Sequence, residues 1–279
     1  GALRNYKESA HLTTISYAQE LQKQGHRVVV VTERRKGMLR EEIVAGIHFF
    51  HPYNLGMLNK IFSHPLAIRS LQKEYAFNAE VIHSFSASPL FALNTFLAGL
   101  WAGKAKKVHT LRSYPRRGGK LWGALFLNLL DGVTVPTAIF AKKLWSVPAT
   151  RINVVHSPIN LKKFFPRDNK DKSTLKKRYG YQGKKVVLYY GAMTENKGMP
   201  LLFQAISQIT SKRKEVLFLF LPRHPGIKPW IDLIQKLGLG NYARIITTDD
   251  PIEDYVTLAD VVVLPYANLW GTDGNPSCL

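Results

Sequence analysis

Apolar positions along the chain follow two alternating rhythms. Leu12, Ile15, Ala18 and Leu21 recur at helical spacing and predict a helix that stops at Gly25, a residue suited to the left-handed position after a helix end. RVVVVT (27–32) follows, continuously apolar as a strand buried on both faces should be. IVAGIHFF (43–50), EVIHSF (80–85), KKVHTL (106–111), DGVTVP (131–136) and INVVH (152–156) extend the series of predicted strands, with apolar helical patterns between several of them. PLFALNTFLAGLWAG (89–103) and LWGALFLNLL (121–130) are short for a membrane span and read as buried core helices. This alternation predicts an open α/β sheet with right-handed crossovers.

The rhythm breaks at SPINLKKFFPRDNKDKS (157–173), which is polar, holds two prolines and reads as a linker leading into a second domain. Beyond it the alternation restarts with VVLYY (186–190), a helix over 199–210, VLFLFL (216–221), a helix over 229–237, RIIT (244–247), a helix over 251–259 and VVVLP (261–265). The expected organisation is two Rossmann-like domains, 1–157 and 158–279, with parallel sheets facing across a cleft. Such sheets bind ligands at the carboxyl ends of their strands. That rule singles out Arg112, Lys197, Arg223 and the segment after VVVLP.

Composition adds two constraints. The single Cys278 cannot close an internal disulfide, which favours a reducing, cytoplasmic setting. The net charge is +20, and residues 1–160 hold 21 Lys+Arg against 8 Asp+Glu. A field of that sign attracts phosphate as nucleotide, nucleic acid or anionic lipid. No zinc ligands, RNP-type aromatics or helix-turn-helix pattern accompany it, so nucleic acid is not expected as a partner. Peripheral contact with the inner face of an anionic membrane stays open, as does solvated loop charge for ERRKGMLR (33–40), KAKK (104–107) and RSYPRRGGK (112–120).

Residues 191–198 read GAMTENKG, between a predicted strand and a predicted helix. A glycine-bounded loop in that place suits a phosphate and equally suits a plain βα turn. The loop alone leaves open whether Lys197 meets an anion.

Six segments carry a resemblance when taken together. GALRNYKESAHLTTISYAQELQKQGHRVVVVT sets a glycine loop before a helix and a GH-V-V strand, and EVIHSFSASP resembles a D-V-I-H strand end. KVHTLRSYP resembles a strand ending in T-x-H, NVVHSPINLKKFFP an interdomain V-x-x-N-G-V-D-x-x-x-F, and GAMTENKG the pattern G-R-x-x-x-x-K-G. LADVVVLPYANLWGTDGNPSCL resembles the strand and loop leading into a paired-glutamate motif. In this order, over the whole chain, they resemble a GT-B glycosyltransferase of family 4, with the strand before Gly1 and the part after Leu279 expected to be missing.

The resemblance implies retaining transfer of a sugar from a nucleotide-diphosphate sugar to a lipid or glycan acceptor, of hexosyltransferase type, with no metal or other cofactor. A departing diphosphate needs fixed cations and oriented N–H donors, because charge develops on the leaving oxygen. By the family pattern Gly191, Lys197, Gly198, Asn275, Ser277 and Cys278 face the diphosphate, and Gly1 and Ala2 lie on the acceptor or sugar side. Three positions depart from the pattern: Ala192 replaces an arginine, Arg112 a sugar-contacting histidine and Asp273 the first glutamate. His109, earlier on the same strand as Arg112, is expected to point along the same side and to substitute for that histidine if the strand register slips. Arg112, His109 and Asp273 are thus the catalytic candidates, and the alternative is a GT-B-fold nucleotide-sugar or glycan-binding protein with impaired catalysis. Among other polar residues, His83 reads as a satisfied strand-end histidine, Asp250 as a helix cap, Asp260 as a helix–strand corner and 176–185 as a solvated face. Asp249 and Asp250 form only half a metal motif.

Overall fold

Residues 9–34, 38–52, 56–86, 90–112, 125–144, 146–156, 159–222, 226–247 and 250–266 are described in a computed structural model. The chain divides into two units, Gly1–Pro158 and Ile159–Leu279.

In the first unit the described elements run α1 (Ser9–Lys23), β1 (Val29–Val31), β2 (Glu41–Val44), β3 (Ile47–Phe50), α2 (Asn59–Tyr75), β4 (Val81–Ser86), α3 (Leu90–Trp101), β5 (Lys106–Leu111), β6 (Gly132–Val135), α4 (Ala138–Lys143) and β7 (Ile152–Val154). One sheet is parallel in the order β4-β5-β6-β7, and a second has the order β1-β3-β2. IVAGIHFF was expected as a single strand. It folds instead into an antiparallel β2–β3 hairpin, with Val44 opposite Ile47. Ala45 and Gly46 both take positive φ, 51° and 81°, which gives a two-residue turn its mirror-image twist. Gln19 of α1 holds that turn by donating to the Ala45 carbonyl at 2.9 Å.

The helix at 90–101 forms as expected, but its packing is the reverse of a simple core helix. Its buried residues are Ala92, Asn94, Thr95, Ala98 and Gly99, the small and polar ones, while Leu90, Leu100 and Trp101 face outward. Small residues let α2 and α3 pack closely, and the polar ones complete hydrogen bonds. Pro65 lies inside α2, and the neighbouring backbone N–H of His64 donates to Asn94 Oδ1 at 3.0 Å. Asn94 Nδ2 in turn donates to Ser63 at 2.8 Å.

The second unit contains α5 (Asn169–Arg178), β8 (Lys185–Gly191), α6 (Met199–Lys212), β9 (Val216–Pro222), α7 (Lys228–Lys236), β10 (Ala243–Ile245), α8 (Ile252–Leu258) and β11 (Val261–Val262). Its sheet is parallel, in the order β10-β9-β8-β11. Along β9, Leu217, Leu219 and Leu221 join one core and Phe218 and Phe220 the other, so both faces are covered.

The linker expected over 157–173 ends earlier, because α5 starts at Asn169 with Asp168 accepting from the Asp171 N–H at 2.7 Å. Only Leu175 of α5 is buried, and ion pairs hold the rest. Asp260 accepts from Lys176 at 2.6 Å, from the Val186 N–H at 2.7 Å and pairs with Lys172 at 3.0 Å. Asp254 accepts from Tyr179 at 3.0 Å and Arg167 at 3.3 Å. Asp250 does not cap α8: the cap position is Pro251, and Asp250 accepts from the Tyr255 hydroxyl at 3.3 Å.

Candidate functional site

In the second unit, chain order and strand order part company between β8 and β11. From β8 the chain steps to β9 and β10 on one side, then returns through α8 to β11 on the other. Loops leaving the carboxyl ends of two such strands diverge and open a crevice, the usual ligand position in an open α/β sheet. GAMTENKG leaves β8 there, and Pro265–Tyr266 follow β11. The two segments meet: the Lys197 ammonium stands 4.6 Å from the centre of the Tyr266 ring. An aromatic face attracts a cation while leaving its donors able to reach an anion.

The loop is braced from beneath. Tyr189, whose phenol burial keeps protonated, donates to the Ala192 carbonyl at 2.7 Å. Trp230 Nε1 donates to the Met193 carbonyl at 2.8 Å, and the Trp230 ring stacks on Phe203, which stacks on Phe220. A short 3-10 turn, Glu195–Lys197, then delivers Lys197 to the start of α6. Gly191 and Gly198 both take positive φ, 151° and 76°. Gly198 was expected to donate its N–H to a diphosphate. That N–H donates instead to the Glu195 carbonyl at 2.9 Å, and the residue's Cα lies against Pro265, so its role here is close packing.

At the end of β5 in the first unit, the expectation for His109 fails on strand geometry. His109 and Arg112 are three positions apart and therefore alternate to opposite faces. His109 is wholly buried beneath α3, with Nδ1 2.6 Å from Ser84 Oγ, which lies 2.5 Å from Thr95 Oγ1. Burial first, and His64 and His83 after it, pull its pKa down to about 3. Its Nε2 and the Nδ1 of His64 have no hydrogen-bond partner among the described residues. On the opposite face His83 Nε2 meets Thr110 at 2.7 Å, and Thr110 meets Thr134 at 2.5 Å, a polar ladder across three strands. Tyr17 of α1 packs edge-on to His83 and Phe85 at 5.9 and 5.8 Å. By alternation Arg112 belongs to this face, and its backbone N–H extends the ladder to the Ser86 carbonyl at 3.2 Å. Burial lowers the pKa of its guanidinium.

Of the expected residues, the structure thus gathers Gly191, Lys197 and Gly198 in one loop and splits Arg112 from His109. Gly1, Ala2, Asp273, Asn275, Ser277 and Cys278, together with Arg223 and Asp249, lie outside the described residues. Tyr266, Pro265, Tyr189 and Trp230 were not singled out. The strand-end rule reached the segment that opens with Tyr266, but neither brace carries a motif. Among the described residues no group of three or more His, Cys, Asp or Glu is placed to hold a metal, and no helix is long and apolar enough to cross a membrane.

A family model for Glycosyltransferase Family 4 matches residues 12–163. No curated protein sequence matches. Among solved structures, the chain is similar to a glycosyltransferase from Rickettsia africae ESF-5, with 18% identity and a TM-score of 0.69 over 90% of this chain and 67% of that one. It is also similar to Anabaena Alr3699/HepE in complex with UDP and glucose, with 15% identity and a TM-score of 0.67 over 92% and 70% of the two chains. A likeness to TarM, at 12% identity and a TM-score of 0.55, covers 72% of this chain and 39% of that one. The likenesses at these identities concern the fold.

Proposed function

The chain belongs to Glycosyltransferase Family 4 and has the α/β GT-B fold, and from that premise we propose that it transfers a hexosyl group from a nucleotide-diphosphate sugar to a lipid or glycan acceptor, with retention at the sugar carbon and without a metal. The observation that carries the reading is the Lys197 ammonium held over Tyr266 where β8 and β11 diverge. When the sugar–oxygen bond breaks, the leaving diphosphate gathers negative charge. A cation already fixed in place stabilises that charge without reorganisation. Lys197 supplies the cation, and the amino end of α6 adds the positive end of its dipole. Tyr189 and Trp230 stabilise the loop that presents them. Asn275, Ser277 and Cys278 belong to the same donor side, Asp273 accepts from a sugar hydroxyl, and Gly1, Ala2 and Arg112 serve the acceptor side. The excess of basic residues in the first unit favours an acceptor at an anionic membrane surface.

HepE's complexes make uridine nucleotides the first donors to try. In the full protein, Lys197→Ala is expected to lower transfer from labelled nucleotide sugars by roughly a hundredfold or more while the thermal midpoint holds. Unchanged turnover in the folded variant refutes the assignment.

A second reading has its own support: Ala192 stands where the family pattern has a cation, and His109 is turned into the core. It describes a protein that binds nucleotide sugar or glycan without turning it over. Donor binding with no product from any membrane lipid or glycan acceptor selects it.

A further inference from the structure

Helices α2 and α3 of the first unit run parallel. His64 packs on Phe91 and its N–H meets Asn94, Ile68 shares a core with Ala98, and Gln72 donates to the Trp101 carbonyl, a constant offset along both helices. Both helices turn large apolar side chains outward. On α2 and the short turn that precedes it these are Leu58, Phe62 and Leu66, spaced at one helical turn, with Phe62 43% exposed. On α3 they are Leu90, Leu100 and Trp101, the last two 62% and 51% exposed. The same face of α2 continues into exposed Arg69 and Lys73, and Arg69 lies over the Trp101 ring at 5.2 Å. Lys104, also exposed, follows the end of α3. No acidic residue occurs in α3, and the one in α2, Glu74, pairs with Arg40.

A helix that buries alanine, glycine, asparagine and threonine while exposing leucine and tryptophan is inverted for a water-facing surface. Apolar side chains bordered by arginine and lysine, with a tryptophan at the border, match the boundary of an anionic bilayer: acyl chains below, phosphates above. A second copy is the poorer occupant, because a two-fold interface would bring the same unbalanced cations face to face. We infer that the outer face of α2 and α3 is a docking surface for an anionic lipid bilayer, with Leu58, Phe62, Leu66, Leu100 and Trp101 entering the interface and Arg69, Lys73 and Lys104 on the headgroups. The inference gives a location to the membrane contact in the reading above and does not depend on the transfer chemistry.

The full chain is floated with vesicles of phosphatidylcholine alone and with vesicles also containing phosphatidylglycerol. Two doubly substituted variants probe the face, Leu66→Glu with Leu100→Glu and Arg69→Glu with Lys73→Glu. A third, Lys177→Glu with Lys214→Glu, changes exposed cations of the second unit. The thermal midpoint of each verifies folding. Binding to the anionic vesicles is expected, with a roughly tenfold or greater loss in both face variants and little loss in the third. No binding by the unaltered chain overturns the docking face together with the membrane contact. Equal binding by all variants, or equal loss in all three, overturns the face and leaves the contact standing. A lipid-free dimer in sedimentation that dissociates in the Leu66→Glu, Leu100→Glu variant assigns the face to a second copy and overturns the inference.

Discussion

Gly198 and Pro265 meet backbone to backbone: a Cβ on Gly198 would lie 1.6 Å from the Pro265 carbonyl oxygen. The φ of +76° at Gly198 already disfavours a side chain. Gly198→Ala is therefore expected to destabilise the second unit by about 2–4 kcal/mol, from overpacking together with left-handed strain. Urea unfolding checks the size. Because the displaced strand end carries Tyr266, nucleotide affinity should fall with it, and a variant with unchanged stability and affinity contradicts the contact.

Asp260 ties three elements together and does so through a charge. Burial would raise its carboxyl, but the hydrogen bonds from Lys176, the Val186 N–H and Lys172 outweigh it and hold the pKa down from 3.8 to about 2. A carboxyl lowered on folding adds stability above its unfolded value and loses it as pH falls through the folded one. Asp260→Asn is expected to destabilise the second unit by about 1–3 kcal/mol at neutral pH. The gap to the unaltered protein should close between pH ~4 and ~2. Denaturant unfolding at several pH values tests this, and a gap constant down to acid pH rules out the charge as its source.

What the sequence revealed follows from which forces leave a linear trace. Buried strands such as β9 and β8 after Lys185 are nearly unbroken apolar runs, and they stood out as such. The β2–β3 turn did not, because Ala45 and Gly46 interrupt the run without polar turn residues. Helix α5 was hidden because it buries only Leu175 and is held by Asp260 and Asp254, some eighty residues away. Periodicity located α3 but gives no sign of which side packs, so its outward leucines emerged only with α2 beside it. In the site, Lys197 was legible from a motif, whereas Tyr266 gains its meaning only because β11 pairs with β8.

The buried histidines of the first unit also lose stability as pH falls, but at higher pH and because the folded chain keeps them neutral rather than charged. Burial pulls His109 to about 3 and His64 to about 4, so both stay neutral in the folded chain while the unfolded chain takes up protons from pH 6.5 downward. Stability from these groups is complete above pH 6.5 and declines toward the folded values. Each contributes a slope of up to ~1.4 kcal/mol per pH unit. His109→Leu removes one slope, so its stability should depend less on pH between ~6 and ~4 than that of the unaltered protein. The readout is the slope, since the substitution also leaves Ser84 with a changed partner. Parallel curves refute the role of His109.

Ala192 offers the sharpest choice between turnover and binding alone. Its carbonyl is held by Tyr189, so the backbone at the head of the loop is already set. The side chain is only partly buried, which leaves room for a longer one. Ala192→Arg adds a second cation beside the one on Lys197, and a charge-assisted contact to a diphosphate that stays partly hydrated is worth about 1–1.5 kcal/mol. Calorimetry with uridine diphosphate should therefore show a Kd about five- to tenfold lower than that of the unaltered protein, a gain that Lys197→Ala in the same background largely abolishes. If affinity rises and transfer appears where none was measurable before, the missing cation had limited catalysis. If affinity is unchanged, the diphosphate does not lie against this loop, and Lys197 loses its place in the reaction.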